Sequence, residues 1–124
     1  MEQPDPVAFD VDAALVRLGG DSALLAELVE AFLQHAPVVL NQIHDAAAGE
    51  EAKALEVAAH SLKGMAANLD AEAVTGLAAR LEIAGRNGDL SEVCQGVSDL
   101  DSGMEELRLT LTDYLSVQCE GKLH

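Results

Sequence analysis

The chain has 124 residues and a mass of 13.0 kDa, enough for one domain with its own core. Seven Lys and Arg against 22 Asp and Glu give a net charge of −15, which argues against nucleic acid and anionic membrane as partners because both need positive surface. A hydrophobic share of 49% excludes a disordered chain, and Phe9, Phe32 and Tyr114 are too few aromatics for a base-stacking platform.

Richness in Ala and Leu with only three prolines predicts an all-α fold. Residues 1–9 read as an N-terminal arm, acidic and proline-containing and therefore unlike a signal peptide. A short helix is predicted over 10–18, ended by Gly19-Gly20. Asp21 or Ser22 can cap the next helix, which places Leu24, Leu25, Leu28 and Phe32 at helical spacing. Pro37 lacks a backbone donor and crowds the preceding turn, so a break or kink is expected there, with His35 at a helix end. A third helix then carries Val39, Leu40, Ile43, Ala46 and Ala47, with His44 beside Asp45, and closes at Gly49.

Residues 50–69 form the fourth helix, with Leu55, Ala59, Leu62, Ala66 and Leu69 spaced 4, 3, 4, 3. Asp70 reads as the N-cap of a fifth helix over 71–86 that buries Val74, Leu77, Ala78, Leu81 and Ala84. Asn87-Gly88-Asp89 is a turn, with Gly88 in the left-handed position and Asp89 as the cap of the last helix. That helix is predicted over 90–117. It has a seam of Leu90, Val93, Val97, Leu100, Met104, Leu107, Leu111 and Tyr114 or Leu115, and Gly96 and Gly103 inside it allow close approach or a slight bend. A loose tail is expected over 118–124, leaving 10–117 as the domain.

Short turns between amphipathic helices make an antiparallel up-down four-helix bundle with one or two short N-terminal helices the expected architecture. No apolar run approaches the roughly 18 residues of a membrane span. Cys94 and Cys119 on one helix would lie about 37 Å apart, too far to pair, and are expected to be reduced thiols of a cytoplasmic protein.

On a wheel of about 100° per residue with Leu55 at zero, the apolar stripe of 50–69 centres near zero. His60 then falls at about 140°, Lys53 at about 160°, Gly64 at about 180°, Ala67 at about 120° and Lys63 at about 80°. His60 should therefore face solvent from mid-helix, bordered by Val57, Gly64 and Ala67. Gly64 costs about 1 kcal/mol in a helix interior, and without a Cβ it admits another surface close to the ring. Two of the three lysines, Lys53 and Lys63, flank this histidine on a strongly acidic chain, and Lys63 at i+3 can reach a group attached to the ring. The pattern suits an imidazole that accepts an anion such as a phosphoryl group from a docked partner. Taken singly, His60 reads as a surface histidine paired with Glu56 at i−4, Lys63 as a solvated charge and Gly64 as a tolerated defect.

The run Ala59-His60-Ser61-Leu62-Lys63-Gly64-Met65-Ala66-Ala67-Asn68-Leu69 resembles the signature of histidine-containing phosphotransfer (HPt) domains. The resemblance extends to Leu81-Glu82, to Arg86-Asn87-Gly88-Asp89-Leu90, to Leu18-Gly19-Gly20-Asp21 and to Phe32, spanning most of 10–115. Asp70 stands where the family usually has Gly. The resemblance implies that His60 is the phosphoryl carrier, shuttling phosphate between the aspartates of response-regulator receiver domains in a multistep phosphorelay fed by a sensor or hybrid histidine kinase. It further implies that Lys63 offsets charge on the transferred group, that Gly64 admits the receiver's loops, and that Mg²⁺ sits on the receiver. Lys53, Val57, Gly64 and Ala67 are the expected docking residues.

No nucleotide-binding glycine motif is present, so a carrier and not a kinase is expected, with no cofactor or metal of its own. Two other classes of function compete with this one. A di-iron bundle needs Glu-x-x-His pairs, which are missing here. An acidic helical adaptor that binds signalling partners without phosphotransfer is the alternative reading. His35, His44 and His124 read as structural or incidental.

Overall fold

The computed structural model describes residues 8–122, with side chains described through Val117. It contains five helices in the order α1 (Val11–Arg17), α2 (Ser22–Ala48), α3 (Ala52–Ala67), α4 (Glu72–Asn87) and α5 (Val93–Lys122), and no strand occurs among the described residues. α2 packs on α3, α3 on α4, α4 on α5, and α5 back on α2, which closes a four-helix ring. Short turns force successive helices antiparallel. The predicted stripes form its interior: Leu55, Ala59, Leu62, Ala66 and Leu69 of the α3 region are buried, as are Leu81, Leu100, Leu107 and Leu111. Asp21 caps α2 by accepting from the Leu24 N–H at 3.0 Å.

Pro37 does not break the chain into two helices: α2 runs unbroken through it for 27 residues. The ring sits on the exposed side, and the half-buried Leu33 carries the carbonyl that loses its partner. Leu25, Val29, Phe32, Ala36, Ile43 and Ala46, on both sides of the proline, are fixed in the core. His35 is consequently an exposed interior residue of α2, not a helix end. By length and composition α2 could also cross a bilayer, contrary to the sequence expectation, but its apolar stripe is spent on packing against α3 and α5.

Asp70 is a second correction. It does not cap α4, whose N-cap is Ala71 without a side-chain bond. Asp70 instead takes φ +53°, the left-handed conformation that Gly or a short polar residue adopts. Its carboxylate pairs with Arg17, whose guanidinium also donates to the Ala67 carbonyl at 2.9 Å. With the Asp10 N–H donating to the Asp70 carbonyl at 3.2 Å, these bonds tie α1 to the α3–α4 corner. Gly88 ends α4 at φ +69° as expected, but Asp89 does not cap α5, which starts at Val93 and not at 90; its carboxylate accepts from Ser91 within the turn instead.

The boundaries of the arm and tail also shift. Phe9, assigned to the arm, is buried and meets Tyr114 edge-on with ring centroids 5.5 Å apart; residues 1–7 lie outside the described residues. α5 continues past 117 to Lys122, where a loose tail was expected. Cys94 is a free, exposed thiol; the Cys119 side chain and His124 lie outside the described set. His44 lies on α2 with its Nε2 2.7 Å from the Asp101 carboxylate of α5, a structural contact between two helices.

Three glycines set how closely the helices meet. A Cβ on Gly85 would lie 2.6 Å from the Ala52 carbonyl oxygen and 2.7 Å from the Glu56 nitrogen, so the backbones of α3 and α4 touch there. At Gly96 and Gly103 it would come within 2.9 Å of Leu81 and Leu77 respectively, so α5 approaches α4 closely.

Candidate functional site

His60 projects from the middle of α3 with its side chain 67% exposed, as the wheel predicts. The helix is rigid at this point because Ala59 and Leu62 on its inner face are wholly buried. The ring does not pair with Glu56, the partner expected at i−4. Its Nδ1 lies 2.8 Å from Oε2 of Glu82 on α4.

Glu82 organises the site. It continues the buried stripe of α4, one and two turns beyond Ala78 and Val74, and its side chain is only 6% exposed. Oε1 accepts from the Lys63 ammonium at 2.6 Å, and Oε2 also accepts from Arg86 at 3.1 Å. The hydrogen bond from Lys63, then that from His60, holds its carboxyl below the usual carboxylate range, against the opposing effect of burial. An ionised carboxylate only accepts, so the hydrogen it shares with the imidazole sits on Nδ1. In the neutral ring the lone pair is then on Nε2, the nitrogen away from Glu82.

A second carboxylate extends the network. Glu56 accepts from Lys53 and from Arg86 Nε, both at 3.2 Å. These two bonds, that of Lys53 foremost, lower the Glu56 carboxyl. Lys53, Lys63 and Arg86 thus account for three of the seven Lys and Arg of the whole chain, set against two carboxylates. Within this network three cations face two carboxylates, on a chain whose net charge is −15.

The predicted residues come together in part. His60 and Lys63 share one carboxylate. Lys53 reaches the group only through Glu56 and Arg86. Val57, Gly64 and Ala67 are exposed on the same helix, and nothing lies within 4 Å of where a Gly64 Cβ would be. Gly64 therefore leaves open space outside the fold and serves no internal packing. Glu82 and Arg86 received no role from sequence reasoning on α3 alone. The available signal was a glutamate at i+4 from Ala78 and i+8 from Val74, on an otherwise apolar stripe.

The face is convex. A cleft of about 660 Å³ between α4 and the start of α5 is lined by residues such as Arg80, Asn87, Asp89 and Cys94, and none of the histidine's partners lines it. A histidine presented on an open helix face fits a macromolecular partner better than an enclosed small molecule.

A search of curated proteins found no match. Among solved structures, the chain is similar to the crystal structure of histidine-containing phosphotransfer protein B from Pseudomonas aeruginosa. The TM-score is 0.80 at 21% identity, covering 86% of this chain and 93% of that one. The likeness shows the shared fold. The family model described as Hpt domain matches residues 27–110, a span that includes α3, α4 and every residue of the ionic network. The chain therefore belongs to the Hpt domain family, whose members act in histidine phosphotransfer in two-component signalling.

Proposed function

We propose that this chain carries a phosphoryl group on His60 Nε2 and relays it between the aspartates of response-regulator receiver domains in a multistep phosphorelay. The observation that carries the reading is the ring itself: exposed, mid-helix, and held through Nδ1 by a buried carboxylate. The Nε2 lone pair attacks the phosphorus of an aspartyl phosphate in line. As the Nε2–P bond forms, the P–O bond to the aspartate breaks and its electron pair stays on the released carboxylate. The proton remains on Nδ1, so the ring gains positive charge, which Glu82 stabilises. The reverse sequence passes the group to a second aspartate.

Lys63 turns from Glu82 to the phosphoryl oxygens and offsets their charge. Gly64, Val57, Ala67 and Lys53 form the surface on which the receiver sits. The Mg²⁺ belongs to the receiver's carboxylates, and this chain supplies no cofactor of its own. A sensor or hybrid kinase loads the pathway upstream, in the cytoplasm.

The test is transfer from a phosphorylated receiver domain to the wild type and to His60→Gln. Acid-labile, base-stable label on the wild type and none on a folded His60→Gln variant is the expected result. Label that persists in the variant overturns the assignment. Receiver binding without any transfer favours the adaptor reading.

A further inference from the structure

We propose that Arg86 is a positioning residue that keeps the Glu82 carboxylate on His60 Nδ1 while Lys63 is engaged with the phosphoryl group. The inference rests on His60 being the carrier.

Glu82 is nearly buried and has two oxygens for three donors. Its tightest bond, 2.6 Å, is to Lys63. Lys63 is also the cation best placed to leave. It shares α3 with His60 at i+3, its ammonium ends a flexible stem, and Glu82 is the one carboxylate it bonds among the described residues, whereas Arg86, though more exposed, bonds two. When it turns outward, a buried carboxylate loses its main counter-charge, and an uncompensated buried charge is strongly unfavourable. Such a carboxylate would pick up a proton or move toward water, and either event releases Nδ1.

Arg86 is built to stay. Its Nη2 bonds Glu82 from one turn away on the same helix, and its Nε bonds Glu56 across on α3. Glu56 is held in turn by Lys53. A guanidinium is permanently charged and planar, so it serves both carboxylates in one fixed geometry. Neither contact involves the Lys63 ammonium, and neither must break when the phosphoryl group arrives. Two cations thus share Glu82 at rest: one is released to the chemistry and the other remains.

The test uses the full chain with ¹⁵N-labelled histidine. Two-bond ¹⁵N–¹H spectra at about pH 8, where a free imidazole is neutral, report the His60 tautomer. Lys63→Ala and Arg86→Gln are each expected to keep the Nδ1–H form, because one cation still holds Glu82. The double variant is expected to show mixed tautomers, and Arg86→Lys in the Lys63→Ala background to restore Nδ1–H. This non-additivity is a signature that general support of the fold would not produce.

Phosphoramidate then serves as donor, its P–N bond breaking with loss of ammonia as the Nε2–P bond forms. Arg86→Gln with Lys63 intact is expected to be labelled about tenfold more slowly, the equivalent of one charge-assisted hydrogen bond. A folded double variant that keeps the Nδ1–H tautomer overturns the proposal. So does Arg86→Gln labelled at the wild-type rate, a result that stands even if the double variant does not fold. A wild type that phosphoramidate leaves unlabelled at His60 instead removes the carrier reading, while the tautomer series still reports on Arg86 and Glu82.

Discussion

Two faces of the α3–α4 pair use a helical glycine in opposite ways. At Gly85, on the closed face, a Cβ would lie 2.6 Å from a backbone oxygen of α3. At Gly64, on the open face, it would meet nothing within 4 Å. Gly85 is glycine for the sake of this molecule's own packing. Gly64 weakens its helix with no internal return, and the ring of His60 lies one turn before it. Open space alone assigns no role, since Gly76 in α4 is equally open; what sets Gly64 apart is its place one turn from the exposed ring of His60, where a docking surface would approach.

The contrast can be broken most forcefully at Gly85. Gly85→Val should destabilise the fold by about 3 kcal/mol or more and lower Tm by at least about 12 °C, because backbone cannot yield as a side chain can. A thermal melt unchanged from wild type would show that the seam between α3 and α4 is not tight. Gly64→Leu should melt at or slightly above the wild-type temperature, yet accept phosphate from a receiver about tenfold more slowly or worse through displaced docking. Equal transfer rates would remove Gly64 from the docking surface.

A milder effect is expected from acid. Glu82 and Glu56 are both held below their ordinary values near 4.5, by Lys63 and His60 in one case and by Lys53 and Arg86 in the other. A lowered carboxyl contributes stability that is fully present above its unfolded-state value and is lost as pH falls through the folded one. Urea midpoints should therefore be insensitive to these two groups at neutral pH and should fall as pH drops below about 4.5. Glu82→Gln should flatten part of that descent, and an identical descent in the variant would deny Glu82 its ionised role. The smallest effect belongs to Gly76, an exposed glycine inside α4 with open space around it and no part in the ionic network. Gly76→Ala should add about 0.5–1 kcal/mol in denaturant melts and leave phosphoryl acceptance unchanged.

Much of the architecture was legible along single helices. The spacing of Leu55, Ala59, Leu62, Ala66 and Leu69 placed the core, and the same wheel turned His60 outward, because helical geometry fixes both at once. Contacts that cross between helices were harder to read. Glu82 lies 22 residues from His60, and local spacing offered Glu56 as the partner instead. The structure gives Glu56 to Lys53 and Arg86. Pro37 misled for a related reason. Its local penalty is real, but packing on both sides of it outweighs one missing hydrogen bond. Asp70 looked like a cap by residue type, whereas its left-handed φ and its pairing with Arg17 depend on where α1 lies.

The most direct measurement is the position of the phosphoryl group after transfer from a phosphorylated receiver, read by ³¹P and ¹⁵N spectroscopy on the intact protein. A single phosphohistidine at His60, bonded through Nε2 with the proton still on Nδ1, is the predicted result. Phosphate on Nδ1, on another histidine, or on no histidine at all would contradict it.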